Sequence, residues 1–254
     1  MIDIVRVLRE TTMGRAEHHP TLTSTNDRAA ECAAQGVKDL PLLVVAEEQT
    51  AGRGRGVKRW WTGRGELVFS LLVDAKTVAA GETRSPLVAL ATAVAIADAV
   101  APLLPNRKLG LRWPNDVVVD GKKLAGILVE VLPDRRHIIG IGVNTNNTSA
   151  DAPQELRDVV ATIRDLAGRE QDQTDILIKL LHCLEQRYSQ LQSDAKSVAA
   201  GADQLCQQRG QMVTLQWDDR KVAGRCRGIA ADGSLLLETP TGVEAFCSGT
   251  VLPG

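Results

Sequence analysis

Residues 109–131, LGLRWPNDVVVDGKKLAGILVEV, constrain the fold more than any other stretch of this chain. They contain three short apolar runs of the length and composition typical of β-strands. Pro114 interrupts the first run, and Asp120-Gly121 is a hairpin turn signal between the next two. The stretch therefore predicts three strands, and the run RHIIGIGVNTN at 136–146 predicts another.

Helical and strand patterns fill the rest of the first 200 residues. Helices are predicted from capping residues at their starts, glycine at their ends and apolar spacing of three to four residues between. In chain order, these predictions are a helix at 23–36 capped by Ser24 or Thr25, strands at 41–48 and 66–74, an Ala-rich helix at 85–102 opened by Ser85 and Pro86, a helix from Asp151 or Pro153 to Gly168, and a helix at 174–192.

The texture of the chain changes after about residue 205. Short strand-like runs follow one another, separated by the turn segments WDDRK, ADG and TPTG. Such closely spaced turns are typical of a small antiparallel barrel. We therefore predict two domains, 1–204 and 205–254.

Composition excludes several classes of protein. With 254 residues and a formal net charge of −1, the chain does not have the basic surface of a protein that binds nucleic acid all over. Its five cysteines are odd in number and lack CxxC spacing, which predicts buried thiols in the cytoplasm and no zinc cluster. No segment resembles a secretory signal or a membrane span, so no membrane partner is expected.

The segment EEQTAGRGRGVKRWWTGRGE at 47–66 departs from this near-neutral average. Five Arg or Lys residues lie between Arg53 and Arg64, with glycines among them. Glycine lets a backbone approach a ligand closely, and arginine offers a fork of donors to a carboxylate or phosphate. The segment predicts a mobile loop that holds an anion, although a solvated loop or a nucleic-acid-binding tail would have similar composition. It is neither a Walker A loop nor a dinucleotide-binding turn.

Three further segments carry polar residues at strand ends, and each also has a structural explanation. RWPND at 112–116 could be a tight turn, and Lys123 in GKKLAGILVE could be a strand-edge lysine. The glycines of GIGVNTN at 140–146 could form a bulge or a floor beneath a flat ligand. Gly126 within its apolar run indicates close approach of backbone or ligand.

Taken together, these segments resemble the biotin–protein ligases. STN at 24–26, EEQTAGRGRG at 47–56, RWPND, GKKLAGILVE and GIGVNTN occur in the order and approximate spacing of that family. The resemblance implies an α/β (α+β) catalytic domain of the class II aminoacyl-tRNA synthetase-like, biotin–lipoate ligase fold, followed by a small SH3-like β-barrel. Because STN begins at residue 24, it also implies the short form without an N-terminal DNA-binding domain, and hence no DNA partner.

The resemblance also implies a two-step reaction and its participants. Biotin and ATP, with Mg²⁺ on the phosphates, would give biotinyl-5′-AMP, and a lysine of a biotin carboxyl carrier domain would then accept the biotin. No protein side chain is assigned to the metal, and the enzyme could form a homodimer. Two alternatives remain open: a lipoate–protein ligase, whose substrate lacks a ureido group, and a nucleic-acid-binding module that uses the basic loop.

Site residues follow from the same motifs, position by position. The catalytic residues would be Lys123, Arg53, Arg55 and Asp116, with Asp116 orienting or deprotonating the incoming lysine. Biotin would be bound by Ser24, Thr25, Asn26, Gln49, Arg53, Gly54, Arg55, Lys123 and Gly126. The nucleotide would contact Arg53, Arg55, Trp60, Asn115, Lys123 and Asn144.

Overall fold

A mixed sheet of seven strands forms the centre of the computed structural model, which describes residues 2–78 and 86–252. Its strand order is β1-β2-β3-β7-β6-β5-β4, and only the β1–β2 pair is parallel. The strands are β1 (Arg15–Leu22), β2 (Leu42–Gln49), β3 (Leu67–Val73), β4 (Leu109–Arg112), β5 (Asp116–Val119), β6 (Lys122–Val131) and β7 (His137–Val143).

The predicted strands of this sheet are confirmed, and their sequences explain their positions. Every residue of β3 and β7 is buried, which suits central strands covered on both faces and accounts for their continuous apolar runs. Between β5 and β6, Asp120 and Gly121 have φ values of 49° and 81°. Both lie in the left-handed region that a type I′ hairpin turn requires.

Helices cover both faces of the sheet. On one face, α2 packs Ala29, Cys32 and Ala33 against β2, β3 and β7. The opposite face is covered by a layer in which α4 packs against the sheet and against both α6 and α7, and α7 also contacts β4. The helices are α1 (Ile4–Glu10), α2 (Thr25–Ala34), α3 (Ala75–Val78), α4 (Leu87–Val100), α5 (Ile163–Ala167), α6 (Gln173–Ser193) and α7 (Ala195–Leu205).

Three predicted helices are confirmed as α2, α4 and α6. Helix α4 is apolar almost all round because it is enclosed on nearly every side. Pro86 stands at its N-cap, whereas Ser85 lies outside the described residues. Ser24 occupies the N-cap of α2, but its side chain makes no capping hydrogen bond. Within residues 2–78 and 86–252, no helix has both the length and the apolar character needed to cross a bilayer.

The helix predicted from residue 151 or 153 to Gly168 is wrong over most of its length. The segment has two 3₁₀ turns, Ser149–Asp151 and Gln154–Leu156, and becomes α-helical only in α5. The intervening backbone pairs with the start of β6 instead: Lys123 N donates to Val159 O at 2.7 Å, and Ala161 N donates to Lys123 O at 2.8 Å. These hydrogen bonds outweigh local helix propensity and fix the backbone on both sides of Lys123.

A second, antiparallel sheet of five strands follows α7 in the described chain. Its order is β11-β10-β9-β8-β12, and its turns fall at the predicted turn segments. Closure of the sheet into a barrel stays a prediction, because the described pairs do not join β11 to β12. The strands are β8 (Met212–Trp217), β9 (Arg220–Ile229), β10 (Leu235–Thr239), β11 (Gly242–Phe246) and β12 (Thr250–Leu252).

Trp113 links the two sheets through its burial and its hydrogen bonds. It is 1% exposed, its Nε1–H donates to Gly233 O at 2.9 Å, and its backbone N–H donates to Gln208 Oε1 at 2.7 Å. One hydrophobic core includes side chains from both sheets. A domain division at residue 205 therefore remains our proposal, supported by the end of α7 at that position.

Candidate active site

A cavity opens where the Gly/Arg loop, the start of α2, the β4–β5 turn and strands β6 and β7 meet. The second sheet also reaches it, through Thr250 and Val251 of β12. Asn144 does not line this cavity. The predicted site residues that do line it are Ser24, Thr25, Asn26, Gln49, Arg53, Gly54, Arg55, Trp60, Asn115, Asp116, Lys123 and Gly126.

The Gly/Arg loop is a narrow hairpin that forms one side of the cavity. Gly54 N donates to Lys58 O at 2.8 Å, and Trp60 N donates to Gly52 O at 2.9 Å. Gly52 is required by this geometry, because a Cβ there would lie 2.7 Å from Trp60 O. Gly56, with φ of 62°, is at the tip. The hairpin carries Arg53, Arg55 and Trp60 to the cavity.

Arg53 is held by two carboxylates at the rim. Its Nη1 and Nη2 donate to the two oxygens of Glu130 at 2.8 and 2.7 Å, and Nη2 also lies 2.8 Å from an oxygen of Asp27. Glu130 accepts a further hydrogen bond from Asn26 Nδ2 at 2.6 Å. Burial alone would raise the pKa of Glu130, but the bonds from Arg53 and Asn26 leave it below its ordinary value. The hairpin is thus tied to α2 and β6.

Arg55 and Lys123 are two of the cations that line the cavity; the others named in its lining are Arg53, Lys58, Arg59 and Arg112. Burial lowers the pKa of Arg55, and the nearby charge of Asp116 partly offsets that effect. Lys123 Nζ lies 2.7 Å from Asp116 Oδ1 and 5.0 Å from the centre of the Trp60 ring, over its face. This arrangement places cations that can neutralise a bound anion next to the Asp116 carboxylate.

Asn115 and Asn144 both donate to backbone carbonyl oxygens of β6, next to this group. Asn115 Nδ2 donates to Ile127 O at 2.8 Å, which fixes the β4–β5 turn against β6. Asn144 is buried, donates to Lys123 O at 3.3 Å and accepts from Asn147 Nδ2 at 2.9 Å. The structure therefore places Asn144 beside the backbone of Lys123, and the nucleotide contact predicted for it has no support from this geometry.

The other end of the cavity is a buried polar network. Gln49 Oε1 accepts from Thr25 N at 2.8 Å and from Thr25 Oγ1 at 3.2 Å. Ser70 Oγ lies 2.7 Å from Thr25 Oγ1 and donates to Asn26 Oδ1 at 2.6 Å. Asn26 rests on Gly140, where a Cβ would lie 2.2 Å from its Oδ1. Donors and acceptors are thus fixed side by side at this end of the cavity.

Gly126 and Gly142, on the neighbouring strands β6 and β7, form a glycine floor that lies against the indole ring of Trp60. A Cβ at Gly126 or Gly142 would lie 2.6 or 2.5 Å from the Trp60 ring. The ring nitrogen Nε1 donates to Glu66 Oε1, and Gly63 N donates to Glu66 Oε2 at 3.2 Å. Glu66 is 4% exposed, and burial raises its pKa well above the ordinary value. Trp60 is therefore held between the floor and a buried carboxyl group.

Comparison with known proteins identifies the family in which this arrangement occurs. Residues 19–146 match the model of the biotin/lipoate A/B protein ligase family, and residues 210–252 match that of the biotin protein ligase C-terminal domain. This chain belongs to the biotin/lipoate A/B protein ligase family.

Curated and solved relatives agree with that family. The chain is 33% identical over 236 residues to a biotin–[acetyl-CoA-carboxylase] ligase of Mycobacterium tuberculosis, covering 90% of this chain and 85% of that one. It is 31% identical over 246 residues to a bifunctional ligase/repressor BirA of Bacillus subtilis, covering 92% and 72%. The solved biotin protein ligase from Aquifex aeolicus in complex with biotin and ATP is 26% identical, with a TM-score of 0.82 and coverage of 94% and 97%.

Sequence reasoning missed several residues that shape the site of this ligase-family chain. Glu130 ends the quoted segment GKKLAGILVE, and its even spacing from Gly126 along the strand could have placed both on one face. Asp27 lies in the first turn of α2, and its helix position does not predict the ion pair with Arg53. Glu66 gave no signal, because a glutamate before an apolar strand usually faces solvent.

Proposed function

We propose that this chain is an ATP-dependent biotin–protein ligase. Biotin is joined to AMP with release of pyrophosphate, and the activated biotin passes to a lysine of a biotin carboxyl carrier domain. The observation that carries this proposal is one cavity with a fixed polar network at one end and Arg55, Lys123 and Asp116 at the other. The biotin ligases among its relatives, one of them solved with biotin and ATP, support the same assignment.

The first step brings a carboxylate against a phosphate. Two unit negative charges about 4 Å apart repel by roughly 4 kcal/mol at an effective dielectric near 20. Lys123 and Arg55 are placed to offset this repulsion and to follow charge onto the phosphorus. Arg53 is already paired with Glu130 and Asp27, so its part in the reaction is to close the hairpin over the cavity.

The second step needs an amine that has lost its proton. Asp116 lies at the cavity surface, where an incoming lysine can approach it, and Lys123 holds its carboxylate at 2.7 Å. The carboxylate can orient the incoming ammonium and take its proton before attack on the activated carbonyl. The amide bond then forms as the acyl–phosphate bond breaks and AMP leaves, with electrostatics and positioning as the means of catalysis.

The polar network suits the ureido head of biotin. A ureido group has both N–H donors and a carbonyl acceptor, and Ser24, Thr25, Gln49 and Asn26 offer partners of both kinds. Lipoate has no such group and would gain no hydrogen bonds from these side chains, several of which already pair with one another. The network therefore favours biotin over lipoate.

Mg²⁺ enters this proposal with ATP. Among residues 2–78 and 86–252, no group of three or more His, Cys, Asp or Glu side chains could hold a metal ion. Asp116, the carboxylate at the cavity, is already engaged by Lys123. We therefore assign the ion to phosphate oxygens and water, which are its usual ligands in nucleotide sites.

Gly142→Val should weaken biotin binding. The new side chain would displace the Trp60 ring, and strain of about 1–3 kcal/mol corresponds to about a five- to 150-fold rise in Kd. Isothermal titration calorimetry with biotin measures the change. Gly201→Ala in α7 is the control, because a Cβ there meets no atom within 4 Å. An unchanged Kd for Gly142→Val would show that Trp60 does not shape the biotin pocket.

Glu130→Gln should let the activated biotin escape. Loss of the two-pronged charged pair with Arg53 loosens the hairpin, and we expect biotinyl-AMP to leave about three- to tenfold faster. Release of radiolabelled adenylate after rapid gel filtration gives the rate. The matched control is Glu238→Gln, which removes a carboxylate paired with Arg227 on the second sheet. Slower release, or tighter biotin binding, would instead mean that Glu130 competes with the substrate for Arg53.

ATP–pyrophosphate exchange tests the proposed function. Exchange of labelled pyrophosphate into ATP should require biotin and should not occur with lipoate. Exchange with lipoate alone would reassign the substrate, and exchange with neither would overturn the proposal. Affinity for random DNA and RNA that falls steeply with salt would favour the nucleic-acid-binding alternative.

Further parts of the proposal concern assembly and location. We propose that the chain forms a homodimer, which light scattering tests, and that it does not bind specific DNA, which a gel shift tests. A cytoplasmic location also stays a prediction, and it can be checked by cell fractionation.

A further inference from the structure

Glu66 is a buried carboxyl group that the proposed reaction does not use. It directly precedes β3 and is 4% exposed. Within the described residues, it forms no ion pair with Lys or Arg. Its two oxygens accept the Trp60 indole N–H and the Gly63 backbone N–H. The charge of Lys123, whose Nζ lies over the Trp60 ring at 5.0 Å, also acts on it.

This burial carries a cost that an apolar residue would avoid. Removing a carboxylate from water without an ion-pair partner costs several kcal/mol. Burial accordingly raises the pKa of Glu66, whereas the Trp60 and Gly63 hydrogen bonds and the Lys123 charge lower it by less. A leucine could be buried here without this desolvation cost, but it could not accept the indole N–H.

The indole that Glu66 holds belongs to the cavity wall. One face of Trp60 rests near Gly126 and Gly142, and Lys123 Nζ lies over the ring at 5.0 Å. A tryptophan side chain has two rotatable bonds, and a hydrogen bond at Nε1 selects one orientation of the ring plane. The carboxyl group therefore determines the wall that biotin meets and the surface on which Lys123 rests.

We propose that Glu66 is a positioning residue that fixes the Trp60 indole as the wall of the biotin and adenylate cavity. The proposal rests on the proposed ligase function. Glu66 does not touch the reacting atoms, and its whole effect on the reaction passes through the orientation of Trp60.

A double-mutant cycle tests this route. Glu66→Leu should raise the KM for biotin in pyrophosphate exchange about tenfold, with a smaller change in kcat. In Trp60→Phe, which has no indole N–H, the same Glu66→Leu change should raise KM less than twofold further. Non-additivity of this kind is the signature of two residues acting as a unit. Additive tenfold effects in both backgrounds would overturn the proposal.

Glu66→Gln repeats the cycle for the case that Glu66→Leu does not fold. Its amide oxygen can accept the indole N–H, but its NH₂ group faces the Gly63 N–H. We therefore expect a KM increase of about threefold in the wild-type background and none in Trp60→Phe. An equal increase in both backgrounds overturns the proposal.

Trp60 fluorescence provides a readout that does not depend on activity. The emission difference between wild type and Trp60→Phe reports this one indole. Glu66→Leu should change that difference spectrum because the indole loses its hydrogen bond, and an unchanged spectrum contradicts the proposal. If wild type shows no biotin-dependent exchange, the ligase function fails. If exchange is present but Glu66 variants keep the wild-type KM, only the present inference fails.

The pH dependence of the free energy of unfolding provides a further test of the proposal. Lys123 is the charged group that faces Glu66 within the described residues. Since the folded state holds the Glu66 proton above the ordinary pKa of about 4.5, wild-type stability should fall as pH rises through the interval above that value. The free energy of unfolding of Glu66→Gln, relative to wild type, should therefore grow across this interval. A constant difference would mean that folding leaves the pKa of Glu66 unchanged, which would contradict a carboxyl group held out of water against the indole.

Discussion

Lys123→Ala should reduce biotin-dependent ATP–pyrophosphate exchange by about 10²–10³-fold. Removal of one preplaced group that stabilises developing charge typically has an effect of this size. Here the effect has a second cause, because Asp116 would lose the cation at 2.7 Å and add its own repulsion to the anions in the cavity. The measurement is kcat for exchange at saturating biotin and ATP.

Lys122→Ala is the matched control for this experiment. Lys122 is exposed, precedes Lys123 in β6 and carries the same charge. Its loss should change kcat less than about twofold, because exposed charges are screened by solvent and salt. If Lys123→Ala retains more than a tenth of wild-type exchange while both variants melt like wild type, Lys123 does not supply the charge that the first step needs.

Among the substitutions proposed for this chain, Trp113→Ala should cause the largest decrease in the free energy of unfolding. The side chain is 1% exposed, and removal of such a buried aromatic ring costs about 3–5 kcal/mol. That is a large part of the roughly 5–15 kcal/mol that stabilises an ordinary domain. Urea denaturation followed by far-UV circular dichroism measures the change in the free energy of unfolding.

Trp113→Phe separates packing from hydrogen bonding at this position. Phenylalanine keeps most of the ring but leaves Gly233 O without its partner at 2.9 Å, which should cost about 1–3 kcal/mol. A loss below about 1 kcal/mol for Trp113→Ala would mean that the second sheet is held by other contacts. Separate transitions for the two sheets in the alanine variant would agree with the fastening role of Trp113.

Local chemistry explains what the sequence could predict. The β5–β6 hairpin depends on Asp120 and Gly121, which adopt left-handed backbone conformations. Asp-Gly is one of the residue pairs that favour such a turn, so the sequence alone predicts it. The cavity residues lie in short segments at strand ends, where their resemblance to one family could be recognised. The central strands β3 and β7 carried continuous apolar runs because both faces are covered.

Elements fixed by distant partners could not be predicted in this way. Strand β1 has the sequence RAEHHPTL, with few of the apolar residues that mark a strand. It exists because it pairs in parallel with β2, whose register begins at Arg15 and Leu42. The pairing of Glu130 with Arg53, 77 residues away, likewise needs the folded sheet before it can be seen.

The backbone contacts around Lys123 have a consequence for how relatives of this chain diverge. Val159 O and Ala161 N meet Lys123 through peptide groups alone. Almost any amino acid can supply those groups, although proline at 161 would lack the donor. The segment that steadies the lysine can therefore drift in evolution without leaving a motif. A search for invariant residues would therefore overlook this segment. Proline substitutions along it would reveal the contact, because proline at 161 removes the N–H that donates to Lys123 O.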